Sequence, residues 1–66
     1  MNFYDALKMV MEGHKVSRHE WVKSDVMYLS EPDENKDRIL YVTVIGEPHM
    51  LILREVDIVA TDWYIV

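Results

Sequence analysis

The stretch ILYVTVI at residues 39–45 has the strongest strand pattern in this chain of 66 residues, and it decides the fold class. Its residues are mostly β-branched or aromatic, and they are apolar on both faces of a pleated strand. Such a strand needs cover on both sides, because either face would otherwise leave apolar side chains in water. The turn residues at 46–48 predict a hairpin whose second strand spans 50–53.

An amphipathic helix is predicted upstream of this hairpin, at the start of the chain. Asn2 followed by Asp5 forms a variant of the capping box, and Gly13 supplies a left-handed C-terminal cap. The apolar stripe between them consists of Phe3, Ala6, Leu7, Val10 and Met11. A helix of this kind can cover one face of the sheet, so the second face is left for another partner.

The remaining segments are short. They comprise an extended piece at 14–17, an irregular connection at 18–25, a strand at 26–29, a polar loop at 30–37, one helical turn at 55–60 and a closing strand at 62–66. No repeat or linker divides the chain. We therefore expect a single α+β domain over residues 1–66, with the N-terminal helix packed on a small antiparallel β-sheet.

The small size of the chain predicts self-association. A domain of this length buries only about 60% of its unfolded surface, and the sequence has no cysteine for a disulfide or a zinc-thiolate site. The second apolar face of the strand at 39–45 is then expected to meet another copy of the chain. The predicted fold is therefore homo-oligomeric.

The charge of the chain is unevenly distributed. The formal net charge of −5 argues against non-specific binding of nucleic acid. Residues 1–24 carry four bases and three acids, whereas residues 25–66 carry three bases and nine acids. An anionic ligand should therefore dock on the first third of the chain.

No apolar run approaches the length of a membrane span, and the first residues lack the basic start of a signal peptide, so we expect a cytosolic protein with no membrane partner.

The polar loop superficially resembles a calcium site. Asp33, Asn35 and Asp37 alternate as the first ligands of an EF-hand loop would. That loop requires glycine where Arg38 stands and glutamate where Val44 stands. The pattern therefore favours a solvated turn.

No cofactor, metal or catalytic residue is predicted. His14, His19 and His49 lack metal-ligand spacing with carboxylates and are expected on the surface. Ser17 and His19 are two residues apart in an irregular piece, which is weak evidence for a nucleophile and its base. We expect a protein that binds and is not an enzyme.

Two tryptophans flanked by charged residues are the best candidates for ligand contact. Trp21 lies three residues after Arg18, and Trp63 directly follows Asp62. For either indole alone, partial core burial is as good an explanation as stacking on a ligand. Together with the charges they favour a planar ligand, because stacking on an aromatic face contributes about 1–3 kcal/mol per base and arginine can bond a phosphate. Asp62 could accept a hydrogen bond from an amine or a ribose hydroxyl.

The chain resembles the Thoeris anti-defence two family of small phage proteins. The segments that carry the resemblance are residues 2–3, 6–7, 13–16, 18–21 and 60–66. They frame the whole domain, whereas residues 26–55 match only as a strand pattern. The resemblance implies an N-terminal helix with a small antiparallel sheet and assembly as a homotetramer.

The same resemblance implies a function and a site. Members of the family sequester cyclic ADP-ribose isomers made by bacterial TIR-domain proteins, and some also hold cyclic dinucleotides. This protein would then intercept the messenger, chemically unchanged, in the cytoplasm of an infected bacterium. The ligand-binding residues implied by the motifs are Trp21, Trp63, Arg18, Asp62, Phe3 and Asn2.

An alternative function is also open. The acidic residues 25–66 could imitate nucleic acid and block a defence nuclease such as a CRISPR effector. Glu31, Asp33 and Glu34 would then form the active surface.

Overall fold

The computed structural model describes residues 1–50 and 53–66. In chain order its elements are α1 (Phe3–Met11), β1 (Val16–Arg18), β2 (Met27–Leu29), β3 (Leu40–Val44), β4 (Glu47–Met50), α2 (Glu55–Ile58) and β5 (Trp63–Ile65). The strands form one antiparallel sheet in the order β4-β3-β2-β1-β5. The predicted α+β class, an N-terminal helix with an antiparallel sheet, is confirmed.

Helix α1 begins and ends where the sequence predicts. The Oδ1 atom of Asn2 accepts a hydrogen bond from the backbone N–H of Asp5 at 2.8 Å, and Gly13 has a φ of 102° beyond the last turn. Ala6 and Val10 are fully buried against the sheet, but Met11 is 62% exposed, so the last position of the predicted stripe lies outside the core. In the described parts of the chain, no helix is long and apolar enough to cross a membrane.

Two strand boundaries differ from the prediction. Arg18 belongs to β1 and not to the irregular connection, because it pairs with Trp63 across the β1–β5 ladder. The hairpin turn contains only Ile45 and Gly46, with φ angles of 51° and 79°, so β4 begins at Glu47 rather than at residue 50. Positive φ at both central residues is the geometry of a tight hairpin turn, which takes Ile45 out of the predicted strand. Residues 51 and 52 of the predicted partner strand lie outside the described residues.

The core lies between α1 and one face of the sheet. Its buried apolar residues are Ala6, Val10, Val16, Met27, Val42 and Trp63. Since side chains alternate along a strand, Tyr28 and Tyr41 project from the opposite face, where their ring centroids lie 5.9 Å apart. The helix therefore covers one face only, as predicted, and the proposed second copy on the other face remains a prediction.

Candidate ligand-binding cleft

The segments that carry the two tryptophans meet within one chain. Trp21 lies in the connection between β1 and β2, and Trp63 begins β5 at the sheet edge. Their ring centroids are 5.0 Å apart with the planes at 76°, an edge-to-face contact. Phe3 of α1 also packs against Trp63, with the two ring centroids 5.6 Å apart. The convergence that a shared site requires is therefore present without a second subunit.

Arg18 is buried beside this aromatic cluster and is bound by three carboxylates. Its Nε donates to Asp62 at 2.7 Å, its Nη1 to Asp57 at 2.6 Å and its Nη2 to Glu20 at 3.0 Å. The residue is only 5% exposed, and each guanidinium nitrogen has a carboxylate partner. We predicted a free arginine that could bond a phosphate, but the guanidinium instead ties β1 to α2 and to the segment before β5.

Asp57 is the centre of these contacts. Its Oδ1 also accepts from the indole Nε1 of Trp21 at 3.1 Å, and its Oδ2 accepts from the backbone N–H of Arg54 at 3.0 Å. The Nε1 of Trp63 donates to the Asp57 backbone oxygen at 2.9 Å. One residue thus fixes both indoles. The sequence analysis missed Asp57, and the available signal was a lone acid between apolar neighbours in the predicted helical turn.

The electrostatics keep this cluster charged. The hydrogen bond from Arg18 lowers the pKa of Asp62, with a smaller opposing effect from burial. Burial raises the pKa of Asp57, but the hydrogen bonds from Arg54, Arg18 and Trp21 outweigh it, so the pKa falls below its usual value. The hydrogen bond to Asp62 raises the pKa of Arg18 against the effect of burial. All three groups are therefore ionised at neutral pH.

The predicted site residues differ in their access to a ligand. Trp63 is 2% exposed and Phe3 packs against it, so Trp63 has no open face in the single chain. Asn2 uses its side-chain oxygen to cap α1. Asp62 keeps 28% of its side chain exposed, and Trp21 is half-buried. We expected both indoles to offer an open face to a ligand. This is wrong for Trp63, because it packs in the core, edge-to-face with Trp21.

A cleft of about 220 Å³ opens beside Trp21. It is lined by Trp21, Asp25, Val42, Thr43, Val44, Arg54 and Asp57. The valines of β3 form an apolar wall, and the Arg54 side chain, 73% exposed, supplies a cation at the rim. A pocket with apolar walls, one aromatic ring and a few polar groups is typical of small-molecule sites. Trp21 is the one predicted residue among its lining residues.

The sequence analysis missed the other polar groups of the cleft for a physical reason. Arg54, Asp25 and Thr43 are far apart in sequence, and only the pairing of β2 with β3 and the position of α2 bring them together. Thr43 fixes the loop before β2, because its Oγ1 accepts from the Val26 N–H at 2.7 Å and donates to the Ser24 oxygen at 3.1 Å.

The residues considered for catalysis have other contacts. Ser17 is buried and its Oγ donates to the backbone oxygen of Asp25 at 2.7 Å. The His19 ring stacks on Tyr64 with centroids 4.4 Å apart. Within residues 1–50 and 53–66, no group of three or more His, Cys, Asp or Glu side chains is placed to hold a metal ion.

The chain was also compared with known proteins. The family model of the Thoeris anti-defense 2-like domain matches residues 1–66, the full length of the chain. No curated protein sequence gives a significant match. The resemblance found on the sequence motifs is thus confirmed at the level of the family.

Proposed function

We propose, from the premise that this chain belongs to the Thoeris anti-defense 2-like family, that it is a phage-encoded sponge for a cyclic nucleotide immune signal. The signal is a cyclic ADP-ribose isomer, with cyclic dinucleotides as a second ligand class. The protein acts in the cytoplasm of the infected bacterium, binds the messenger without changing it and so blocks the Thoeris defence.

The observation that carries this proposal is the half-buried indole of Trp21 in a cleft that also contains Arg54. An aromatic face suits a base, and a guanidinium suits a pyrophosphate. The hydrogen bond from Trp21 Nε1 to Asp57, at 3.1 Å, fixes the indole before a ligand arrives. Such preorganisation supports affinity, because less side-chain freedom is lost on binding.

In this proposal the other predicted site residues stabilise the cleft without lining it. Arg18 and Asp62 hold the Trp21 loop against α2, while Trp63 packs edge-to-face on the Trp21 indole and Phe3 packs on Trp63. Asn2 stabilises the helix that carries Phe3. The partly exposed Asp62 carboxylate is the member of this group best able to accept a ligand hydroxyl directly.

The size of the cleft favours a site shared between subunits. Pockets that enclose a small molecule usually measure about 300–1,000 Å³. The cleft of one chain measures about 220 Å³, enough for a base but not for a whole cyclic dinucleotide or cyclic ADP-ribose. We propose that a second copy completes the enclosure, within the homotetramer expected from the resemblance. A ligand of about 35 heavy atoms that gains about 0.3 kcal/mol per atom would bind at tens of nanomolar.

Isothermal titration calorimetry with cyclic ADP-ribose isomers and cyclic dinucleotides tests the proposal. We expect saturable binding to the wild-type protein, a loss of at least about tenfold in affinity for Trp21→Ala and a smaller loss for Trp21→Phe, which keeps a ring. Tyr4→Ala is the matched control, because Tyr4 is an aromatic residue that is 68% exposed and does not line the cleft. Absence of binding heat with every ligand of both classes would overturn the proposal.

A second experiment distinguishes a sponge from a hydrolase. The complex is freed of unbound ligand and heated, and the released small molecule is identified by mass spectrometry. We expect intact ligand in an amount equal to that bound. Recovery of a linear product would show that the protein is an enzyme.

The nuclease-blocking alternative has its own test. Glu31, Asp33 and Glu34 are exposed in the loop before β3, but Asp33 Oδ1 also accepts the N–H groups of Asn35 and Asp37 at 2.8 and 2.9 Å. Charge reversal should therefore be confined to Glu31 and Glu34, which leaves this turn intact. Anti-defence activity that survives Trp21→Ala and is abolished by the double reversal would favour the blocker.

A further inference from the structure

Asp25 lines the cleft, and its carboxyl group has an unused hydrogen-bond acceptor. Its Oδ1 is buried and has no hydrogen-bond partner. None of the ion pairs formed by the described residues includes Asp25. A buried acceptor without a donor is unfavourable, so its retention at a cleft wall calls for an explanation.

The backbone around Asp25 is held in place while its carboxyl group is not. The Asp25 N–H donates to the Val22 oxygen at 2.8 Å, and its own carbonyl oxygen accepts from the Ser17 hydroxyl at 2.7 Å. Rotation about the last side-chain torsion of an aspartate is soft, so either carboxylate oxygen can turn toward an entering molecule. The arrangement fixes the Asp25 backbone beside the cleft and leaves the carboxylate free to turn toward a ligand.

We infer that Asp25 is a specificity-determining residue that accepts a hydrogen bond from the amino group of a ligand base and so selects adenine over hypoxanthine. This inference rests on the proposed function. A base stacked on Trp21 would lie in the same cleft as the Asp25 carboxylate, because both residues line it. An ionised carboxylate has acceptors only, and adenine offers an amino donor where hypoxanthine offers a carbonyl acceptor.

The expected discrimination follows from the loss of one buried hydrogen bond. With hypoxanthine the carboxylate would face the 6-carbonyl oxygen, a second acceptor, in place of the amino donor. An unpaired buried acceptor of this kind lowers affinity by about tenfold to a hundredfold. Arg54, at the cleft rim, would contribute equally to the affinity for both ligands because it would bind their phosphates.

The test compares two ligands and two proteins. The ligands are a cyclic ADP-ribose isomer with a free adenine amino group and its hypoxanthine counterpart, and the proteins are wild type and Asp25→Asn. We expect wild type to prefer the adenine ligand by about tenfold or more, and Asp25→Asn to lower that ratio below about threefold, since the asparagine amide can also donate to the hypoxanthine carbonyl. Asp37→Asn, the same substitution in an exposed loop, should keep the wild-type ratio.

The outcomes separate this inference from the proposed function. Equal affinity of the wild type for both ligands overturns the inference without any variant. Trp21-dependent binding with an unchanged ratio in a folded Asp25→Asn protein overturns the inference alone. Absence of binding by the wild type to both ligands and to cyclic dinucleotides overturns the proposed function and the inference with it.

Discussion

The two ends of the sheet are held together in different ways. At the ion-pair end, which comprises Arg18, Glu20, Asp57 and Asp62, a nearly buried guanidinium binds three carboxylates and joins residues up to 44 positions apart. At the hairpin end, which comprises β3 and β4, all four residues of β4 are exposed and the strand is paired along the backbone. Side-chain contacts fix the first end, whereas local backbone pairing forms the second.

The difference bears on ligand binding because the cleft lies between the two ends. Trp21 and Asp57 belong to one wall, and Val42, Thr43 and Val44 of β3 form the other. Segments with few buried contacts open at lower free-energy cost than segments in a packed core. Val42 belongs to the core, but Val44 is 39% exposed. We therefore expect the wall at the ion-pair end to orient the ligand and the Val44 end of the β3 wall to adjust to it.

Removal of Arg18, the cation of the ion-pair end, should cause the largest loss of stability. Arg18→Met keeps an unbranched apolar side chain but takes from the buried Asp57 its closest ionic partner, which should destabilise the fold by about 3–5 kcal/mol. The total stability of a domain of this length is only about 3–10 kcal/mol, so urea denaturation should show a partly or largely unfolded protein. Arg38→Met, in the exposed loop, is the control. Equal midpoints for the two variants would show that the ion pairs contribute little.

Acid should weaken the ion-pair end next. The folded-state pKa values of Asp57 and Asp62 lie below the ordinary value of 3.8, so their stabilising contribution is present above that pH and is lost as pH falls through the folded values. Thermal unfolding measured from about pH 7 down to about pH 2 should show a falling midpoint below about pH 4. The decrease should be smaller for Asp57→Asn, which cannot titrate at that position. A wild-type midpoint that stays constant over this range would contradict the prediction.

A substitution in the hairpin turn should moderately increase the stability of the protein. Ile45 has a φ of 51° and is 85% exposed, so a β-branched residue occupies a left-handed position with little packing to offset the strain. Ile45→Asn creates the Asn-Gly pair that suits this turn and should stabilise the protein by about 1 kcal/mol. Ile39→Asn, which replaces an exposed isoleucine with a negative φ, should bring no such gain. Thermal or urea unfolding measures both, and a loss of stability in Ile45→Asn would contradict the geometry of the turn.

The smallest effect is expected at the end of β4. Met50 is 68% exposed, so Met50→Thr should change the free energy of unfolding by no more than about 0.5 kcal/mol. Val42→Thr on the neighbouring strand, where the side chain is 3% exposed, should cost more because it buries a hydroxyl in the core. Urea denaturation of the two variants compares the exposed strand of the hairpin end with its buried neighbour. A larger loss for Met50→Thr would mean that β4 is covered in solution, as a second copy on this surface would do.

The elements of the fold could be predicted from the sequence because their signals are local. The cap at Asn2, the left-handed Gly13 and the β-branched run at 39–45 each act on neighbouring residues, and the helix and the strands appear near the predicted positions. The predicted start of β4 was wrong because a two-residue turn that begins at Ile45 has no recognisable sequence signature. A left-handed isoleucine is rare, and nothing in the adjacent residues indicates it.

The candidate site could be predicted only in part. Trp21 was found because an aromatic residue among charges is visible in the sequence, and it lines the cleft. The partners of Arg18 could not be found, since Asp57 and Asp62 are 39 and 44 positions away and only strand pairing brings them close. Asp25 and Arg54 gave no signal of their own, because a single charged residue is usually solvated.

The sequence by itself determined the α+β class and the family, since capping residues, apolar periodicity and short motifs depend on the order of neighbouring residues. The tertiary structure decided which charges are free and which are neutralised within the fold. Arg18, the arginine beside the tryptophan in sequence, is bound by carboxylates, and Arg54, distant in sequence, lies at the cleft. The reason is physical: a charge is available to a ligand to the extent that folding leaves it exposed. Arg18 is 5% exposed and bonded to three carboxylates, whereas the Arg54 side chain is 73% exposed and its ion pair with Asp57, at 3.8 Å, is long.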